Sequence, residues 1–157
     1  MDAITMLRDD HRAVERLFKK FEKSESVDRE LLGEICHLLQ QHTTIENDVF
    51  YPTVLEQTEG ERSIVLESYE EHHVADTLIE ELADASLREE QVRAKVTVLI
   101  ELVRHHVEEE ENDMFPDVRS QLGRKALQDI GQRMHELRNR GINGSDASAA
   151  EERVISA

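Results

Sequence analysis

His42-Thr-Thr-Ile-Glu46, running on through Asn47, Asp48 and Phe50-Tyr51-Pro52, is answered by His106-Val-Glu-Glu-Glu110, running on through Asn112, Asp113 and Met114-Phe115-Pro116. In both copies a glutamate follows the histidine by four residues and a proline follows it by ten. Residues four apart on a helix lie one above the other. Each copy therefore aims one imidazole and one carboxylate in a single direction, and two such arms facing each other could hold two metal ions. The copies start 64 residues apart, a spacing that reads as a two-fold pseudo-repeat of helix pairs and not as a solenoid period.

Outward from these copies the apolar residues keep helical spacing. Ile4, Leu7, Val14, Phe18 and Phe21 predict a first helix over about residues 2–23, with His11 filling the gap in their series. Leu31, Ile35, Leu38, His42, Ile45 and Val49 predict a second from about residue 28, which Pro52 should end or kink. Val65, Ala75, Leu78, Ile79 and Leu82 mark a third, with a start signal at Thr58-Glu-Gly-Glu61. Val92, Val96, Leu99, Val103 and His106 mark a fourth, with a second such signal at Ser86-Leu-Arg-Glu89 and an end near Pro116. Long helices with short connections favour an all-α fold, an antiparallel up-and-down four-helix bundle over residues 1–121. Leu127, Ile130, Met134 and Leu137 add a short fifth C-terminal helix over 122–140, and the Gly, Ser, Asn, Asp and Ala content of 141–157 predicts a tail without fixed structure.

The chain has 157 residues, enough for one domain with a real core, and only six Gly and two Pro. Its 19 basic and 35 acidic residues give a net charge of −16, which opposes nucleic-acid backbones and anionic lipid surfaces and suits attraction of cations. Cys36 is the only cysteine, so an internal disulfide and a thiolate metal cluster are excluded. The start, Met1 to Asp10, lacks the basic and apolar pattern of a secretory leader, and no stretch has the length of a membrane span. The expectation is a cytoplasmic protein without nucleic-acid or membrane partners.

Eight histidines are present, and a wheel at about 100° per residue sorts them. His11, His42, His72 and His106 fall on inward faces, one on each helix of the bundle, and Glu46 and Glu110 stay with His42 and His106. His37, His73 and His105 fall away from the seams, and His135 lies beside its stripe. One inward histidine is most simply a hydrogen-bonded core residue. Four of them with two carboxylates are not, because buried bare carboxylates cost several kcal/mol and repel one another. Around cations the set makes sense, and its nitrogen and oxygen donors suit iron, manganese or zinc. The spacings Glu34/His37 and Glu70/His73 imitate a di-iron motif, but they use histidines on the solvent side.

With these residues in order, the chain resembles the hemerythrin-like proteins, or HHE cation-binding domains, over about residues 1–118. The family pattern is a histidine in the first helix, His-x-x-x-Glu in the second, a histidine in the third and His-x-x-x-Glu or His-x-x-x-x-Asp in the fourth. It falls here on His11, His42/Glu46, His72 and His106/Glu110. The resemblance implies a non-haem pair of iron ions, bridged by two carboxylates and by an oxo or hydroxo group, with manganese or zinc less favoured. It implies binding or sensing of O2, NO or peroxide. The alternatives are an enzyme that decomposes peroxide or reduces nitric oxide, and iron donation or iron–sulfur cluster repair. The oxygen carriers of the family have a second histidine in the third helix, four after the first; here that position is Asp76. The missing donor leaves a place for water, peroxide or another ligand. Asp76 and the two tyrosines, Tyr51 and Tyr69, are candidates for an additional ligand or for support of the site.

Overall fold

The computed structural model describes residues 1–143, all of whose regular elements are helical. The first rod is α1 (Ala3–Lys23). The second joins α2 (Arg29–Ile45) through a π-helical turn, Glu46–Phe50, to α3 (Tyr51–Gln57). The third is α4 (Arg62–Leu82). The fourth joins α5 (Glu89–Glu109) through a π-helical turn, Glu110–Met114, to α6 (Phe115–Gln121). The fifth is α7 (Arg124–Asn143). Asp2 and Asp28 start α1 and α2 by accepting from the N–H groups of Thr5 and Leu31 at 2.8 and 3.1 Å.

Contacts between the connections fix the directions of the rods. At one end, the α1–α2 connection meets the start of α5: Val27 N–H donates to Glu89, and Arg93 reaches the Ser24 and Glu25 carbonyls. At the other end, the α3–α4 connection meets the end of α6 through Glu59 and Gln121, and Arg119 of α6 reaches Asp2 at the start of α1. The rods therefore run up, down, up and down, and α7 packs along α1 and α2. Two apolar clusters fill the bundle. Val14, Phe18, Ile35, Ile79, Val96 and Leu99 belong to the first, and Ile4, Leu7, Phe50, Val65, Met114, Phe115 and residues of α7 belong to the second.

Four expectations are corrected. Pro52 and Pro116 do not end their helices. Each follows a π-helical turn closed by a bond to the carbonyl of Glu46 or Glu110, and the wider coil relieves the crowding that a proline ring imposes one turn back. Thr58 does not open α4. It closes α3 by donating its hydroxyl to Val54 O, and Gly60, at φ 87°, turns the chain in a region that side chains disfavour. Ser86 does not open α5 either: its hydroxyl bonds Asp84, and Gln91 reaches back to the Arg88 N–H. Helix α7 runs on through residues 141–143; the rest of the expected tail lies outside the described residues.

α7 docks closely. A Cβ at Gly131 would come within 2.5 Å of the Met1 carbonyl oxygen, so only a glycine lets this helix lie on the start of α1. Leu127, Ile130 and Met134 are buried beneath it. No helix among the described residues is long and apolar enough to cross a membrane.

Candidate metal centre

His11 (α1), His42 (α2), His72 (α4) and His106 (α5) bring their Nε2 atoms to the middle of the bundle, where Glu46 and Glu110 stand at the starts of the two π-helical turns. All six are buried, the two glutamates completely. Their donor atoms form two groups. His11, His42, Glu46 and Glu110 offer atoms within 4.8 Å of one another, and so do Glu46, His72 and His106. Glu46 belongs to both: its Oε1 lies 2.8 Å from His42 Nε2 and its Oε2 lies 2.9 Å from His72 Nε2. Glu110 Oε1 also stands between the groups, 3.3 Å from His11 and 3.1 Å from His106.

A second layer fixes the rings. The outward Nδ1 of His11 donates to Glu111 at 2.9 Å, that of His42 to Asp10 at 3.0 Å, that of His72 to Asn47 at 2.6 Å and that of His106 to Glu71 at 3.1 Å. With Nδ1 donating, each neutral ring turns a lone pair on Nε2 inward, as metal-binding imidazoles do. Asp10, Asn47, Glu71 and Glu111 were not singled out from sequence. The available signal was their position, beside an inward histidine or glutamate in every case.

Tyr51 enters the same space. It is fully buried, and its hydroxyl lies 2.9 Å from Glu110 Oε2, 3.1 Å from Glu46 Oε2, 3.2 Å from His106 Nε2 and 3.4 Å from His72 Nε2. Tyr69 does not reach the donors; its ring packs edge-on against Tyr51 and its hydroxyl bonds the Asn47 carbonyl. Asp76 is exposed and outside both donor groups, so it is not among the residues that offer a ligand atom there. His37, His73, His105 and His135 are exposed.

The donor count tests whether cations fit. The interior holds inward ring nitrogens and four carboxylate oxygens, and the phenol has one proton to give. His11 Nε2, His42 Nε2, Glu46 Oε1 and Glu110 Oε1 are buried without a hydrogen-bond partner, although some lie close together. They meet the distance of a hydrogen bond but not its direction, as atoms do when they point at a shared centre. Buried polar atoms are rarely left unsatisfied, so positive charge is required here. In the metal-free protein, protons supply it. Burial opposes the charged form of His42, but the Glu46 charge and the bond to Asp10 outweigh it and push the group up to about 10. His106 is likewise raised against burial, chiefly by Glu110. Burial raises Glu46, but the facing histidines win and hold it well below the usual range. Tyr51 is raised, by burial first and then by Glu110 and Glu46, so its proton stays on.

Toward the α1–α2 and α4–α5 connections, a cavity with about 30 Å³ of room borders all four histidines, with apolar walls from Val14, Leu38, Leu39, Ala75, Ile79 and Val103. Opposite it, Tyr51, Phe50 and Phe115 close the space.

The Hemerythrin HHE cation binding domain matches residues 2–118, and the chain belongs to that family. The family match and the histidine–glutamate cluster together make it a metal-binding protein. A crystal structure of a hemerythrin HHE cation binding domain-containing protein from Mycobacterium kansasii has the same fold, with a TM-score of 0.74 at 21% identity, over 89% of this chain and 86% of that one. A curated protein of Nostoc sp., a DNA nickase, is 29% identical over 125 residues, 78% of this chain. The chain spans about a third of that relative, 35% of its length.

Proposed function

We propose that the chain is a cytoplasmic non-haem di-iron protein that binds or senses a small molecule, O2, NO or peroxide, at a carboxylate-bridged pair of ions. One subsite uses His11 and His42, the other His72 and His106, with Glu46 and Glu110 shared. The observation that carries this reading is the cavity against all four histidines. Its volume of about 30 Å³ suits one very small molecule, and its apolar walls suit a neutral one. Six nitrogen and oxygen donors without sulfur fit iron, with manganese and zinc less favoured.

Iron, when bound, supplies one-electron chemistry toward such a ligand. The protein orients the four rings through their Nδ1 bonds and keeps bulk water out. It also places the Tyr51 hydroxyl, a group that can give or take a proton, beside both carboxylates. That hydroxyl favours a second reading, an enzyme that decomposes peroxide or reduces nitric oxide: disproportionation of peroxide to water and O2 moves protons between oxygens without net uptake, and two-electron reduction of two NO to N2O and water takes up two protons. The nickase function of the Nostoc protein is not carried over. The chain covers 35% of that protein, and a charge of −16 repels a phosphate backbone.

Metal analysis of protein expressed with ample iron tests the centre, with close to two irons per chain expected. A content near zero or one overturns the dinuclear reading. With two irons present, a reversible spectral change on adding O2, NO or peroxide, without turnover, supports binding or sensing. Sustained loss of peroxide or NO supports the enzyme.

A further inference from the structure

We infer that α7 is a working part of the metal centre: Arg138, acting through Asp10, positions the His42 imidazole and tempers its electron donation, so that the two subsites differ. This rests on the two-metal reading above.

The second layer around the histidines repeats in the two halves. The residue before His11 (Asp10) serves His42, and the residue before His72 (Glu71) serves His106. The residue after Glu46 (Asn47) serves His72, and the residue after Glu110 (Glu111) serves His11. One of these positions has a third partner. Asp10 Oδ2, the same atom that accepts from His42 Nδ1, accepts from Arg138 Nη2 at 2.5 Å. Among the described residues, Glu71 has no such cation, because its ion pair is with His106.

Arg138 is held in place by a helix that cannot slide, since Gly131 lies against the backbone of Met1 and Ala3. The guanidinium is also placed at some cost, because its Nε is buried with no partner. A carboxylate on the outer nitrogen of an imidazole raises the donation of the inner one to a metal. A guanidinium on the same oxygen withdraws charge from it and weakens that effect. Arg138 therefore acts as a positioning residue on one subsite only.

The test is a redox titration of the iron-loaded full chain, with Mössbauer spectra resolving the two irons. Arg138→Gln is expected to keep two irons and the helical circular dichroism. At a fixed potential, the ferric to ferrous ratio of one iron should rise about tenfold, equivalent to about 59 mV downward for a one-electron couple, while the other iron stays put. Arg138→Lys, which keeps the charge, should shift in the same direction by less, and it serves as the test if the Gln variant does not fold. Arg133→Gln, which removes a charge of α7 that touches Thr53 and not Asp10, should shift neither iron. Unmoved potentials in both Arg138 variants, equal movement of both irons, or the same shift in Arg133→Gln overturns the inference while two bound irons preserve the metal-centre reading. Fewer than two irons in the unsubstituted protein overturns that reading and the inference with it.

Discussion

Tyr51 and Phe115 occupy equivalent places in the two halves of the bundle, each as the first residue after a π-helical turn that begins at a buried glutamate. Phe115 lays its ring on that of His11, with centroids 5.9 Å apart and planes within 6°. Tyr51 tilts against His72 and adds a hydroxyl among the donors of the His72/His106 subsite. The two halves thus share a scaffold and differ by one oxygen at its centre.

Tyr51→Phe removes this difference and should reveal what that oxygen does. Burial and two carboxylates keep the phenol protonated in the metal-free protein. A metal cation beside it reverses the sign of the local field and favours the phenolate. The expected outcome is a visible absorption band in the ferric protein that Tyr51→Phe lacks. Uptake of the second iron should also weaken by about 10- to 100-fold, the range for loss of a supporting group. Identical spectra and identical binding of the second iron would reduce Tyr51 to packing.

Neighbouring histidines give a sharp contrast. His72→Ala should lower metal content, whereas His73→Ala should not, and His106→Ala should behave likewise against His105→Ala. His72 and His106 are buried among the donors, while His73 and His105 are exposed. Metal analysis of the four variants checks this, and an equal loss in either exposed variant counts against the assignment.

The inward histidines and glutamates were legible because ligands four apart on a regular helix share a face with the apolar seam. Tyr51 was harder to place for the same reason. Five residues beyond Glu46 on a regular helix is about 140° off the face of that glutamate. The π-helical turn bonds Tyr51 N–H to the Glu46 carbonyl and swings the side chain inward, and no apolar periodicity announces such a turn. Pro52 was the visible sign, and it reads equally well as a helix end. Asp10 and Glu71 look like ordinary charges beside a histidine, because their partners sit on other helices. Arg138 lies 128 residues from Asp10, and only the docking of α7 brings them together.

The metal-free protein should show a defined pH window of stability. His42 is raised from 6.5 to about 10 in the fold, so its contribution is full below pH 6.5 and is lost as the pH rises through about 10. Glu46 and Glu110 are lowered from 4.5, so their contribution is present above pH 4.5 and is lost as the pH falls through their lowered values. The melting temperature of the apo form should therefore be highest between about pH 4.5 and 6.5. Metal must displace the histidine protons, so its affinity should rise with pH across the neutral range, with proton release on binding. Thermal melts of the apo protein and metal titrations in two buffers check both slopes; metal affinity independent of pH would mean the rings are already neutral.

Glu46→Gln and Glu110→Gln separate the cost of the site from its use. Each glutamate is fully buried and each raises the energy of ionising the other, as the effect of Glu46 on Glu110 records. Replacing one carboxylate by an amide of the same shape removes that repulsion and half of the charge available to two cations. The histidines facing it lose an ionic partner at the same time, so relief of repulsion and loss of pairing act in opposite directions on the apo fold. Each variant should bind metal more weakly than the unsubstituted protein, and its apo form should melt lower near neutral pH, because the lowered pKa of each glutamate marks pairing as stronger than repulsion. Metal should raise the melting temperature of the unsubstituted protein most, because binding to the native state alone stabilises it by mass action. Unchanged metal content in both variants would remove the bridging role of the glutamates. An apo protein as heat-stable as the metal-loaded one would mean that protons satisfy this core as well as metal ions do.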